Sequence, residues 1–249
     1  MVHPHNVQER GMQGKRKIPF QKGKHRKPEK VYSFQEADNR LYDLFRHHGF
    51  EDFPHHERHR LVEFYQLLMT HQKTDNVTRL IRFRDIGIKH FIDSLMVPRL
   101  TTLSFPLLDK GTGPGFPGIP LKILFPKERM ILAEGVRKRV DFLRAVREEM
   151  KLKNLDLVGR KIDEFFELPI NGVITRAVES ASQTIDSVKN SLQPGGKIFL
   201  MKGPNVDHEI VEVQQKYGDE FQLVEDHHYE LPKTPHQRRL LVYQRSGAQ

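Results

Sequence analysis

Two carboxylates frame the stretch of this chain best suited to chemistry. Asp109 follows an apolar run, Leu107 and Leu108, just ahead of Gly111, Gly113, Gly115 and Gly118. Glu134 ends a second such run, RMILAE at 129–134. The segment LLDKGTGPGFPGIPLKILFP (107–126) reads as the end of a buried strand, a tight glycine turn and a helix. Pro117 suits a first helical turn, and Ile119, Leu121, Ile123 and Leu124 give that helix an apolar side. Glycines let a backbone approach a nucleotide-like ligand where a Cβ would collide or forbid the dihedrals. A carboxylate at the tip of the next strand, here Glu134, is where such folds hold ribose hydroxyls. No Gly-x-x-x-x-Gly-Lys-Ser/Thr string occurs, which argues against a nucleoside triphosphate. Asp109 would also repel a pyrophosphate placed at the turn. A cationic ligand suits it better, and S-adenosylmethionine carries ribose and adenine with a sulfonium and an ammonium in place of phosphates. The plain alternative is a glycine-rich connection that binds nothing. A Rossmann dehydrogenase is disfavoured, because the glycines are spaced Gly-x-Gly-x-Gly-x-x-Gly with an acid ahead of them.

Composition narrows the classes further. The 249 residues, 37% hydrophobic, can hold one sizeable α/β domain with an appendage. No stretch approaches the ~20 apolar residues of a membrane span, and the N-terminus lacks an apolar signal core. There is no cysteine, hence no disulfide, thiol nucleophile or Cys-ligated zinc. Together these point to a cytoplasmic protein. The net charge is +9, and residues 1–30 hold nine Lys/Arg against two Glu. A basic arm on a nearly balanced domain suggests a polyanionic partner such as RNA, with a merely solubilising tail as the alternative. Residues 1–32 read as a basic, disordered tail.

The carboxylates and glycines need elements to position them. Residues 33–100 read as a helical segment. Ser33 caps a first helix with Glu36 in a capping box, and Gly49 stops it. A second helix follows Pro54 and carries Leu61, Phe64, Leu67 and Leu68. NVTRLIRF (76–83) reads as extended or turn, and a third helix opens at Asp85 and runs through His90, Phe91, Asp93, Ser94 and Leu95. His47, His48, His55, His56 and His59 invite a metal, but no carboxylate frame is evident and a wet surface is the better reading. Residues 101–249 alternate strand and helix. Strands end at Asp109 and Glu134 and continue in LDLVG (155–159), NGVITRA (171–177) and KIFLMKG (197–203). Helices span 137–152, 179–192 and 206–217, the second stopped by the turn Pro194, Gly195, Gly196. The chain ends in two consecutive strands, which predicts an antiparallel edge hairpin. This is the α/β architecture of class I S-adenosylmethionine-dependent methyltransferases: a Rossmann-like seven-stranded sheet, its last strand antiparallel, with an N-terminal helical layer.

Five motifs sit along this frame in order: NVTRL with HFIDSL, DKGTGPGFPGIPL, KRVDFL, ITRA (174–177) and MKG (201–203). With them, residues 61–245 resemble the bacterial small-subunit rRNA guanine-N7 methyltransferases, also called glucose-inhibited division protein B. The resemblance implies S-adenosylmethionine as methyl donor and a guanine of 16S rRNA in the small ribosomal subunit as acceptor. It implies that Gly111 and Phe116 line the donor pocket, that Ile162 and Asp163 contact adenine, and that Glu134 takes the ribose. Asp109 and Gly113 complete the donor set from the turn itself. Arg176 faces both donor and substrate, and with Lys202 and Arg238 it forms the catalytic set; Lys161 is a further basic position toward the RNA. Lys110 departs from the family pattern, which has a small apolar residue there, so it must snorkel out of the sheet or pair with a carboxylate. Ala133, Gly135 and Val136 also depart from it.

The chemistry asked of such a site is modest. N7 of guanine has a lone pair and no proton, so methyl transfer needs alignment rather than a strong base. The base must be taken out of its RNA context, and cations can hold its phosphate or O6. The partner expected is 16S rRNA or the small subunit, with no membrane, and the protein is expected to act as a monomer. The alternative reading is an RNA-binding ribosome-assembly factor with a weakened donor pocket, which Lys110 would favour.

Overall fold

The computed structural model describes residues 26–28 and 30–247. The reading of residues 1–32 as a disordered tail therefore lies largely outside the described residues.

Seven strands form one sheet: β1 (Leu107–Lys110), β2 (Met130–Ala133), β3 (Leu155–Val158), β4 (Ile170–Arg176), β5 (Leu192–Lys202), β6 (Phe221–Glu230) and β7 (Gln237–Arg245). Their order is β3-β2-β1-β4-β5-β7-β6. Every pairing from β3 through β5 is parallel, and β7 runs antiparallel to both its neighbours. The expected antiparallel hairpin is present at the edge, with β7 as its inner strand and β6 as its outer one. Burial explains the placement. β6 alternates strictly between buried or half-buried and exposed residues, whereas Leu240, Leu241, Val242 and Tyr243 of β7 are all buried, as a strand covered on both faces requires.

Helices cover the two faces. α1 (Phe34–His47), α2 (His55–Asp75) and the helices up to residue 100 share one buried cluster with α5 (Gly118–Leu124), α6 (Arg137–Glu149) and one face of the sheet, through Leu107, Leu132, Ile174 and Phe199. The opposite face, through Leu108, Ile131, Val173 and Ile198, packs on α7 (Ala181–Val188) and α8 (Asp207–Tyr217). Adjacent residues Leu107 and Leu108 enter different clusters because side chains alternate along a strand.

Three local expectations change. Ser33 accepts the Glu36 amide at 3.3 Å, but Glu36 does not complete the capping box: its carboxylate takes Lys30 at 2.9 Å and Arg40 at 3.3 Å, charge-assisted bonds that outweigh one neutral amide. The real capping box is at Ser180 and Gln183. It starts α7 at Ala181, not 179, and leaves Glu179 in the loop before it. Pro194, Gly195 and Gly196 do not separate helix from strand. They lie within β5, where the register to β4 jumps from Ile170↔Leu192 to Gly172↔Lys197 and a bulge absorbs them.

The third helix begins at Phe83, two residues early, and is not uniform. α3 (Phe83–Ile86) runs into a π-helical turn at Gly87–Ile92 and then α4 (Asp93–Leu100). Such wide turns are often found at functional sites.

Candidate functional site

Both cavities of interest open at the carboxyl ends of the parallel strands, beside the point where the chain leaves β1 toward β2 on one side and β4 on the other. That crevice is the usual ligand position in open α/β sheets. The first, of about 470 Å3, is walled by Lys110 and Gly111 at the end of β1, Ala133 and Glu134 at the end of β2, Lys161 and Ile162 after β3, and Arg176 to Glu179 at the end of β4. Gly111 has φ of +73°, and a Cβ there would come within 2.8 Å of the Val178 side chain. The turn is therefore built for glycine on both conformational and steric grounds. Its amide and that of Thr112 both donate to the Ala133 carbonyl. The Glu134 carboxylate accepts the Val136 amide at 2.7 Å and stands 3.5 Å from Arg139. Lys110 pairs with Glu179, so its charge is neutralised within the wall; the sequence had left that alternative beside snorkelling.

The second cavity, of about 350 Å3, is lined by Lys89, Asp93, Arg176, Ala177, Met201, Lys202, Gly203 and Arg238. Arg176 stands between the two cavities and lines both. Its guanidinium is fixed by three bonds to the helical layer: to the Lys89 carbonyl at 2.9 Å, Asp93 Oδ2 at 3.0 Å and His90 Nδ1 at 2.9 Å. The π-helical turn makes this possible. The Asp93 amide bonds the Ile88 and His90 carbonyls, skipping Lys89, whose carbonyl accepts from Arg176. A guanidinium only donates, so His90 Nδ1 must accept and the proton sits on Nε2. Burial, then Arg176, holds the His90 pKa well below its ordinary range, in keeping with a neutral ring. That ring stacks on Phe116 with centroids 4.1 Å apart.

The rest of the basic set is also held. Lys202 donates to the Glu179 carbonyl at 2.6 Å and to Glu209 at 2.9 Å. Arg238 lies 3.3 Å from Asp93 Oδ1. Its neighbour Arg239 points to the other face of β7 and is taken by Asp226, through two 2.7 Å bonds, and by Asp207. Strand alternation alone separates the cavity arginine from the structural one.

Of the donor residues expected from sequence, Gly111, Glu134, Ile162 and Arg176 meet at the first cavity. Asp109, Gly113, Phe116 and Asp163 do not line it. Asp109 is fully buried and accepts the Gly118 amide at 2.7 Å, so it ties the glycine turn to the start of α5 instead of facing a ligand. A Cβ at Gly118 would sit 2.6 Å from that carboxylate. Burial pushes the Asp109 pKa up to about 6. Phe116 is buried against Phe64, Phe91 and His90 and supports the Arg176 anchor from below. Asp163 is exposed and pairs with Arg160 at 2.9 Å. The residues missed in the sequence are Glu179, Lys89, His90 and Asp93. The last three lie in or next to HFIDSL, and their helical spacing was the signal that could have placed them together.

The histidine cluster also differs from expectation. A carboxylate does approach: Asp38, His55 and His59 bring one ligand atom each within 4.8 Å of one another. Both oxygens of Asp38 are, however, occupied by Arg58, at 2.8 and 3.2 Å.

Comparison with known proteins matches residues 57–241 to the model of a family described as rRNA small subunit methyltransferase G. Ribosomal RNA small subunit methyltransferase G 2 of Bdellovibrio bacteriovorus is 51% identical over 90% of this chain and 88% of its own length. The protein of the same description from Syntrophobacter fumaroxidans is 42% identical over 76% of this chain, which spans only 38% of that longer relative. Ribosomal RNA small subunit methyltransferase G of an Escherichia coli strain is 31% identical over 82% of this chain and 96% of its own length.

Proposed function

Because this chain belongs to the rRNA small subunit methyltransferase G family, whose methyl donor is S-adenosylmethionine, we propose that its two cavities divide one reaction between them. The cavity at Gly111, Glu134 and Ile162 takes the donor; the cavity at Lys89, Asp93, Lys202 and Arg238 takes a guanine of 16S rRNA. The observation that carries this reading is the place of Arg176, in the wall common to both.

The residues fit the donor. Gly111 gives close backbone access, Glu134 offers the strand-tip carboxylate a ribose diol needs, and Ile162 offers an apolar contact for adenine. When bound, S-adenosylmethionine supplies an electrophilic methyl. The protein's own contribution is positional: N7 attacks with its existing lone pair, so the chain needs no base and has only to hold acceptor and donor in line. Three hydrogen bonds hold Arg176 in one orientation, and the cations around the second cavity receive the base and its phosphate. Lys202 and Arg238 complete the catalytic set with Arg176, and Lys161 faces the rRNA from the donor side.

We place the reaction in the cytoplasm, on the small subunit, with one chain sufficient, since both cavities belong to a single copy. No helix among the described residues is long and apolar enough to cross a membrane. The test is transfer of labelled methyl to small subunits from cells lacking the enzyme, with the base located by mass spectrometry. Label on a guanine N7 of 16S rRNA supports the reading; donor binding without transfer to rRNA overturns it.

A further inference from the structure

Recognition of guanine for this reaction poses a problem that the second cavity answers. The commonest protein contact to guanine is an arginine donating to O6 and N7 together. Here N7 must stay free to attack, so that contact would block the chemistry. Specificity then has to come from the other edge of the base, where N1–H and the N2 amino group are both donors and O6 is an acceptor. Two adjacent donors call for a carboxylate. Adenine, with an unprotonated N1 acceptor at the same place, would meet that carboxylate lone pair to lone pair.

Among the described residues lining the cavity, Asp93 alone carries a carboxylate; the charged remainder are Lys89, Arg176, Lys202 and Arg238. Its side chain is 3% exposed. Oδ2 accepts from Arg176 at 3.0 Å. Oδ1 is buried and accepts no hydrogen bond, although Arg238 Nε lies 3.3 Å away as an ion-pair partner. A buried carboxylate oxygen without a donor is uncommon and calls for an explanation. Each carboxylate oxygen can accept two bonds, so Asp93 retains capacity on both while the two flanking guanidiniums fix its orientation. The phenol of Tyr229 feels that charge: burial first, then Asp93, raises its pKa far above the ordinary value.

Building on the proposed guanine site, we infer that Asp93 is the specificity-determining residue, its carboxylate accepting N1–H and the N2 amino group of the target guanine while the flanking cations meet O6. The Arg176–Asp93–Arg238 array thus serves two ends at once. It orients Arg176 toward the donor, and it presents an acceptor pair to the base.

The experiment compares reconstituted small subunits carrying guanine or inosine at the target position. Inosine keeps N7, O6 and N1–H and lacks only the N2 amino group. The wild-type enzyme is expected to lose about 10-fold in kcat/KM on inosine, the size of one hydrogen bond to a charged acceptor. Asp93→Asn is expected to fall about 100-fold on guanine and to distinguish the two bases by less than 3-fold, with donor binding by calorimetry kept within about 3-fold because Lys89 and His90 still hold Arg176. A wild-type enzyme indifferent to the N2 amino group overturns the assignment even if the variant fails to fold. So does a folded D93N enzyme that keeps the wild-type preference. Absence of methyl transfer to the guanine particle by the wild-type enzyme would instead sink the underlying functional reading, so the two failures are separable.

Discussion

Replacing Asp109 with asparagine tests how the glycine turn is held. Asp109 is fully buried, and its Oδ2 accepts the Gly118 amide at 2.7 Å. An asparagine carbonyl can keep that bond, and the variant's amide would face the Thr112 hydroxyl that the Asp109 carboxylate faces now. What changes is the charge. Burial raises the folded pKa from 3.8 to about 6. Between those values the folded protein holds a proton that the unfolded chain has released, so stability falls as pH rises through the window and carries a constant penalty above it. At about 1.4 kcal/mol per pH unit, the penalty reaches about 3 kcal/mol. His90 acts in the opposite sense: its lowered pKa gives a contribution present above 6.5 and lost as pH falls, and it cancels when variant and wild type are compared at each pH. Urea unfolding from pH 4 to 8 should show D109N and wild type equal near pH 4. The variant should then gain progressively, to about 3 kcal/mol by pH 7. Donor affinity should change by less than about 3-fold, since Asp109 lines neither cavity. A variant less stable than wild type at pH 7, or a difference that does not vary with pH, would refute the reasoning.

Other substitutions separate the roles of neighbouring charges. Glu134→Ala should weaken donor binding at least about 10-fold by calorimetry while leaving the affinity for small subunits intact, because Glu134 belongs to the first cavity alone. Arg239→Ala should cost about 2 kcal/mol in urea unfolding by releasing Asp226 and Asp207, whereas Arg238→Ala, with Arg176 still bonded to Asp93, should cost about 1 kcal/mol and cut methyl transfer about 100-fold. Glu179→Ala strands the Lys110 ammonium in the sheet and should cost about 3 kcal/mol; adding Lys110→Met should restore most of it, since an apolar replacement for a buried pair is often neutral.

The sequence by itself determined the strand and helix order, the glycine turn at 111–118 and Glu134 at a strand tip. Each of these rests on local chemistry: apolar periodicity, positive-φ glycine, and a polar residue where an apolar run stops. Arg176 was also legible, through the resemblance of ITRA (174–177) to the family motif. Only the tertiary structure decided what each charge does. Asp109 looks like a ligand carboxylate until Gly118 closes on it, nine residues along the chain. Lys110 looks like a defect until Glu179, left outside α7 by the Ser180 cap, reaches across to it. Arg238 and Arg239 are adjacent in sequence and separated in role by the two faces of β7. Asp93, about 80 residues before Arg176 and widely separated from Arg238, meets both because the helical layer and the sheet share one core. Side-chain partners so far apart in the chain are chosen by packing, and no window of sequence contains them.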